Sequence, residues 1–169
     1  ENEKIWKENN ILEHQEYVSS YLSNQSPYKG LLLYHGLGSG KTGASIMIAE
    51  GYQNKEVLVM LPKSLRKNFE DEINKFGNIC YLPHNSWIKR KMPECNNSTQ
   101  DNLLISSYEQ EGILRKTIFE LKHIGNKSIW MISKPITDST PNFFSMSKED
   151  QAEIKKQCEI MKNNKYKFI

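Results

Sequence analysis

The chain has 169 residues, of which 37% are apolar and 25% are charged, so it can bury a core and its composition does not predict disorder. Its net charge of +3, from 23 basic and 20 acidic residues, is too small to indicate a nucleic-acid partner by itself. No apolar run is long enough to cross a bilayer, and the first residues lack the pattern of a secretory signal. The three widely spaced cysteines argue against a disulfide framework or a zinc site and favour a reducing intracellular compartment.

The first half of the chain alternates between predicted helices and strands. Residues 11–23 carry apolar side chains at helical spacing and predict a short helix that ends in a turn. Leu31–Tyr34 and Val57–Leu61 are continuous apolar runs, which predict strands buried inside a parallel sheet. Thr42–Tyr52 predicts a helix after the first run, and Pro62 opens an amphipathic surface helix after the second. This alternation predicts an α/β fold with a mostly parallel sheet flanked by helices.

The second half of the chain gives weaker signals. Pro83–Asn102 is polar and predicts a long connection or insertion, and the stretch between Lys134 and Phe144 predicts irregular structure. The other predicted elements are a strand at Leu103–Ser106, a helix around Leu114–Leu121, a strand at Ile129–Ile132, a helix that Ser147 caps and that runs to about Lys162, and the start of a strand at Tyr166–Ile169.

A glycine-dense loop, His35–Thr42, lies between the first predicted strand and the helix after it. Its glycines permit positive φ and let backbone N–H groups approach one small volume. The helix start adds N–H groups without partners and about half a positive charge. Lys41 is placed to reach the β- and γ-phosphates, and the Thr42 hydroxyl to complete the coordination of Mg²⁺. The pattern therefore predicts a triphosphate site formed by Gly36, Leu37, Gly38, Ser39, Gly40, Lys41 and Thr42.

One position departs from the strict phosphate-loop pattern. His35 stands where that pattern has a glycine, and we interpret it as a backbone contributor because no carboxylate partner for a catalytic base is visible. The other histidines are scattered, without Cys or acidic residues at ligand spacing. We therefore expect no metal site other than that of nucleotide-bound Mg²⁺.

Three segments together resemble motifs of superfamily 2 helicases and translocases of the Snf2-like branch. His35–Thr42 resembles motif I, Leu12–Gln15 resembles the Q-type motif, and Leu61–Phe69 resembles motif Ia. The resemblance implies that the chain binds ATP and Mg²⁺, that Gln15 contacts the adenine, and that Lys41 and Thr42 are catalytic. It also implies that DNA or RNA is contacted by Lys63, Ser64 and Lys67.

A narrower resemblance is to helicases of large nucleocytoplasmic DNA viruses, relatives of the poxvirus early transcription factor and nucleoside triphosphatase I. It rests on Ser26–Tyr34, which leads into the loop, and more loosely on the tail from Lys134-Pro135 to Ile169. It implies an N-terminal helix with the Q-type motif over residues 1–29 and a first RecA-like lobe over residues 30–169. It also implies a viral transcription complex as partner, in the virion core or the host cytoplasm.

The acidic pair that ATP hydrolysis needs is absent after every apolar run. Glu109 is the nearest candidate, and we interpret it as a carboxylate at a helix start. In the family the acidic motif lies beyond a segment like Lys165–Ile169, and a second lobe carries an arginine finger. Because the chain also lacks an initiator Met, we expect an incomplete lobe, truncated before the Walker B motif.

Other functional interpretations stay open. A non-catalytic ATP-binding or scaffold subunit of a viral transcription complex agrees with the missing acidic pair. A small-molecule kinase fits less well, because it would want glycine at position 35 and more arginine for phosphate handling. Trp87–Lys91 mixes an aromatic with basic residues, so it is either a patch that stacks on a nucleic-acid strand or, more simply, a charged loop.

Overall fold

A computed structural model describes residues 11–23, 25–34, 36, 38–133 and 141–169. The interpretations of His35, Leu37 and Lys134-Pro135 lie outside the described residues. The chain divides into two compact units, the first formed by residues 1–79 and 168–169 and the second by residues 80–167. Within the described ranges, no helix combines the length and the apolar character that a membrane span requires.

The first unit combines helices with a small parallel sheet, as an α/β fold should. Strand β1 (Val57–Val59) pairs with the strand at the end of the chain, Tyr166–Phe168, and the Ile169 N–H donates to the Val59 carbonyl at 3.1 Å. The helices agree with the predicted ones to within a few residues: α1 (Glu13–Tyr21), α2 (Lys41–Gly51) and α3 (Arg66–Phe76).

Helix α2 lies at the centre of this unit, with α1 and α3 packed against it. Its buried residues are apolar or small except for Glu50 near its end; the others are Gly43, Ala44, Ile46, Met47 and Ala49. The closest approach is at Gly43, where an added Cβ would lie 3.0 Å from the Gln15 side chain of α1 and 3.0 Å from the Phe76 ring of α3. A residue without a side chain is therefore what lets both neighbouring helices reach the start of α2.

The predicted buried strand at Leu31–Tyr34 is wrong. These residues form no strand, and Leu32 and Tyr34 are 87% and 94% exposed. The strand at Val57–Leu61 is shorter than predicted, and within it only Val59 is buried. A strand is buried on both faces only when neighbouring strands and helices cover it, and among the described residues β1 has a single partner strand.

The second unit packs helices against a two-stranded antiparallel sheet. Strand β2 (Trp87–Lys91) pairs with β3 (Ser128–Ile132), so that Trp87 lies opposite Ile132 and Lys91 opposite Ser128. The sequence predicted a parallel sheet from the first half of the chain and gave no strand direction for the second half, so the antiparallel pair is a feature that the structure adds. The helices of this unit are α4 (Thr99–Gln110), α5 (Arg115–His123) and α6 (Lys148–Lys165).

The core of the second unit contains Trp87, Trp130, Phe143, Ile154 and Cys158. Burial raises the pKa of the Cys158 thiol to about 12, so this side chain stays protonated and packs as an apolar group. The buried side chain of Gln157 accepts from the Trp130 N–H at 2.9 Å and donates to the Trp130 carbonyl at 2.6 Å. The amide of Gln157 thus bonds the backbone N–H and carbonyl of Trp130 on the edge of β3 away from β2, as a neighbouring strand would.

Two sequence interpretations in this unit differ from the structure. Leu103–Ser106 is not a strand but the middle of α4, whose N-cap Ser98 accepts from the Asp101 N–H at 3.2 Å. The polar stretch 83–102 contains β2 and the first residues of α4. By contrast, the capping residue Ser147 begins α6 as predicted, and its hydroxyl accepts from the Asp150 N–H at 3.1 Å.

Candidate functional site

The glycine-dense loop meets helix α2 in a conformation that favours glycine. Gly38 and Gly40 have φ values of +75° and +73°, in the left-handed region, and Gly40 is the N-cap of the helix. The first bond within the helix runs from the Ala44 N–H to the Gly40 carbonyl at 3.0 Å. The N–H groups of Lys41, Thr42 and Gly43 therefore have no carbonyl acceptor inside the helix.

The electrostatics of this helix start favour an anion. Its first turn contains no acidic residue, and the positive end of the helix dipole lies at Lys41. The Lys41 ammonium donates to the Gly36 carbonyl at 2.7 Å, which closes the loop across five residues. Ser39 Oγ is buried, and it has no hydrogen-bond partner in the part of the chain that the structure describes. Ammonium, hydroxyl and backbone donors converge on this loop, and this donor set fits a phosphate group.

Helix α1 holds the end of the loop through two adjacent side chains. His14 Nε2 lies 2.8 Å from the Ser39 carbonyl, and because a carbonyl only accepts, this ring nitrogen carries the proton and donates. Gln15 Nε2 donates to the Gly40 carbonyl at 2.9 Å, while Gln15 Oε1 accepts from the Leu12 N–H at 3.0 Å. The resemblance to the Q-type motif implied an adenine contact for Gln15 and no role for His14.

The structure thus brings most of the predicted nucleotide residues together. Gly36, Gly38 and Ser39 form the loop, Gly40, Lys41 and Thr42 begin the helix, and Gln15 packs beneath them. Leu37 lies outside the described residues. Thr42 is the second residue of α2 and is partly buried, beside Lys41 at the start of the helix.

The predicted nucleic-acid residues lie on another segment of the same unit. Lys63 and Ser64 belong to a short 3₁₀ turn after β1, and Lys67 lies in the first turn of α3. All three are exposed, and neither lysine forms an ion pair with a carboxylate of the described residues. The neighbouring Arg66 already has two partners. Its Nε bonds Glu70 at 2.8 Å, and its guanidinium lies over the Phe168 ring, 4.8 Å from the ring centroid.

The mixed segment Trp87–Lys91 is strand β2 and not an open stacking patch. Trp87 is buried in the core of the second unit, and its indole N–H donates to the Pro83 carbonyl at 2.6 Å. Lys89 bonds Asp150 at 3.0 Å, and this hydrogen bond raises the pKa of Lys89, with Glu153 adding charge attraction. A buried ring and a paired lysine leave little for a nucleic-acid strand to bind.

The sequence interpretation placed Glu109 at the start of a helix, and this is wrong. It lies near the end of α4, and both of its carboxylate oxygens accept from Arg115, at 3.2 and 3.1 Å. In the described residues no strand is followed by an Asp-Glu pair, and no cluster of three His, Cys, Asp or Glu side chains could hold a metal ion. Among the described residues, the loop and the start of α2 thus combine donor groups suited to an anion, and no acidic pair lies at the end of a strand.

Comparison with known proteins finds similar segments in helicase-named proteins of viruses. Two proteins of Acanthamoeba polyphaga mimivirus, provisionally named ATP-dependent RNA helicases, are 43% identical over 71 residues and 42% identical over 61 residues. A provisionally named helicase of Invertebrate iridescent virus 3 is 28% identical over 85 residues. These matches cover 41%, 34% and 41% of this chain, and 12%, 8% and 8% of the respective relatives.

Part of this chain is thus homologous to proteins named as viral helicases, of which it spans only a small fraction. No family model matches the chain, and no solved structure matches it.

Proposed function

We propose that this chain is the ATP-binding part of a viral superfamily 2 helicase or translocase of the Snf2-like branch. In the full-length protein, ATP hydrolysis would be coupled to movement on DNA or RNA. The single observation that carries the proposal is the start of α2, where Gly38 and Gly40 adopt positive φ and three N–H groups have no acceptor within the helix. The names of the viral relatives supply ATP and nucleic acid as the expected ligands.

Different groups of the loop would contact different parts of a bound triphosphate. Backbone N–H groups from Gly38 to Gly43 would bind phosphate oxygens, and Lys41 would leave the Gly36 carbonyl to donate to the β- and γ-phosphates. Mg²⁺, which fits the Thr42 hydroxyl and the phosphates as ligands, supplies positive charge that neutralises the triphosphate. Ser39 Oγ, buried without a partner among the described residues, would gain a phosphate acceptor.

The nucleic-acid contact is proposed for the exposed turn that follows β1. Lys63 and Lys67 carry charges that no described carboxylate neutralises, and Ser64 adds a hydroxyl donor between them. Side chains of this kind position a protein on the phosphate backbone without reading sequence. Binding at this turn is therefore expected to be sensitive to salt and insensitive to base sequence.

This proposal is tested by titrating the chain with Mg²⁺·ATP and, separately, with labelled single-stranded RNA and DNA. The double variant Lys63→Ala, Lys67→Ala is expected to keep the ATP affinity and to lower the slope of log K against log salt by about 1.5. The matched control is Lys122→Ala, Lys127→Ala, which removes two exposed lysines of the second unit. If both double variants bind nucleic acid equally, the turn after β1 is not the contact; if the chain binds no ATP, the nucleotide proposal is wrong.

A second candidate is an ATP-binding or scaffold subunit without hydrolysis of its own, within a viral transcription complex. The missing acidic pair favours it, because Glu109 is bound to Arg115 and no described strand ends in Asp-Glu. Phosphate release in the presence of RNA or DNA separates the two. Turnover that Lys41→Ala abolishes supports the motor, whereas saturable ATP binding without turnover by the full-length protein supports the subunit.

A further inference from the structure

Gln15 bridges the starts of two helices. It is the third residue of α1, where its Oε1 accepts from the N–H of the α1 N-cap Leu12 at 3.0 Å. Its Nε2 donates to the carbonyl of Gly40, the N-cap of α2, at 2.9 Å. The side chain is 1% exposed. A buried glutamine whose oxygen and nitrogen are both bonded is a fixed part of the structure.

The bond to Gly40 determines where a neighbouring N–H group points. The Gly40 carbonyl and the Lys41 N–H belong to one planar trans peptide unit, so they point in opposite directions. By holding this carbonyl, together with the Ala44 N–H at 3.0 Å, Gln15 fixes the direction of the Lys41 N–H. His14 acts in the same way one unit earlier, because its bond to the Ser39 carbonyl at 2.8 Å fixes the Gly40 N–H.

We infer that His14 and Gln15 are positioning residues that aim the backbone N–H groups of Gly40 and Lys41 at a bound triphosphate, independently of the base. This role presupposes that the loop binds a triphosphate, as proposed above, and it differs from the adenine contact that the sequence resemblance implied for Gln15. The Gln15 side chain is 1% exposed and bonds the Gly40 carbonyl, so it would have to move out of this position to reach the edge of an adenine.

The packing around Gln15 agrees with a positioning role. An added Cβ on Gly40 would collide with Gln15 Nε2, and one on Gly43 would lie 3.0 Å from the same atom. Because Gly40 and Gly43 have no side chains, the Gln15 amide has room to pack against the start of α2. The loop is held in place before any ligand binds. Its N–H groups therefore lose little conformational entropy on binding, and the affinity is higher for that reason.

The test compares the affinities of three probes: Mg²⁺·ATP, Mg²⁺·GTP and inorganic tripolyphosphate with Mg²⁺. Gln15→Leu keeps the volume but removes both hydrogen bonds, and it is expected to weaken all three probes by a common factor of about tenfold. The matched control is Gln157→Leu in the second unit, a buried glutamine that is also bonded at both ends. This control is expected to lower thermal stability without changing the affinity for any probe.

The outcomes separate this inference from the nucleotide proposal. A loss confined to ATP overturns the positioning role and makes Gln15 an adenine reader. Unchanged affinity for all three probes also overturns it, while the nucleotide site itself stands. If the unsubstituted chain binds none of the probes, the proposed nucleotide site is wrong and the positioning role falls with it.

A second variant, Gln15→Glu, keeps the inference testable if Gln15→Leu does not fold. The carboxylate still accepts from the Leu12 N–H but turns an acceptor toward the Gly40 carbonyl in place of a donor. Burial and this carbonyl raise the pKa of the introduced carboxyl group, and once protonated it can donate to Gly40 again. The quantity to follow is the tripolyphosphate affinity of Gln15→Glu divided by that of the unsubstituted chain. We expect this ratio to rise on the order of tenfold as the pH falls from 8 to 5.5. A ratio that does not change with pH contradicts the bond to Gly40 as the cause.

Discussion

Lys41→Ala is expected to weaken the binding of Mg²⁺·ATP by roughly 10-fold to 100-fold, the range for losing hydrogen bonds from a charged group. The reason lies in the loop, where the Lys41 ammonium donates to the Gly36 carbonyl at 2.7 Å and so already lies within the proposed triphosphate site. Phosphate oxygens are stronger acceptors for a cation than a carbonyl is. Isothermal titration or fluorescence of a labelled nucleotide gives the dissociation constant.

The control for this substitution is Lys127→Ala, which removes the same charge from an exposed position in the second unit. Thermal unfolding of both variants shows whether the loss of the bond to Gly36 has disturbed the fold. Equal ATP affinities for Lys41→Ala, Lys127→Ala and the unsubstituted chain would mean that the loop is not where the triphosphate binds.

Gly40→Ala is expected to destabilise the first unit by about 3 kcal/mol and to abolish measurable triphosphate binding. At a φ of +73°, an alanine costs about 1–2 kcal/mol through its backbone conformation alone. Its Cβ would also collide with Gln15 Nε2, and Gln15 is held at both ends of its amide, so it can give way only by losing those hydrogen bonds. Thermal and urea unfolding measure the loss.

Gly51→Ala is the matched control for this substitution. Gly51 ends the same helix, has no atom within 4 Å of an added Cβ and does not have positive φ. Alanine there is expected to leave stability unchanged or to raise it by about 0.5 kcal/mol, because alanine favours the helix. A stable, ATP-binding Gly40→Ala variant would contradict the described geometry of the loop.

The helices of this chain could be predicted because their signals are local. Ser147 marks the start of α6 by its own hydrogen bond to Asp150, and α3 shows apolar residues every three or four positions. The glycines at 38 and 40 likewise indicated positive φ from their type and spacing. In each case the residues that carry the signal also make the contact, so no knowledge of distant residues was needed.

The strands could not be predicted with the same success, because short apolar runs do not distinguish a strand from a helix. Leu103–Ser106, an apolar run, lies within helix α4. Trp87–Lys91, a mostly basic segment, is a strand whose Trp87 is buried in the core. Leu31–Tyr34 contains residues suited to a strand but has no strand beside it in the described structure. Pairing decides the outcome, and pairing is set by residues far away in sequence.

The role of Gln15 was beyond the sequence for the same reason. Its partner Gly40 is 25 residues away, and the bond exists because α1 packs against the start of α2. A motif can indicate that a glutamine near a phosphate loop matters, but only the position of the two helices shows which atoms it touches. Polar contacts over such separations depend on tertiary packing, which local patterns do not encode.

The central claim is that backbone N–H groups at the start of α2 bind the triphosphate. Amide NMR spectra of the ¹⁵N-labelled chain, recorded with and without Mg²⁺·ATP, test it most directly. We predict that the largest shift changes fall on Gly38 to Ala44, the segment that includes the three N–H groups without an acceptor inside the helix. Saturable ATP binding that leaves these amides unchanged and shifts a different segment would contradict it.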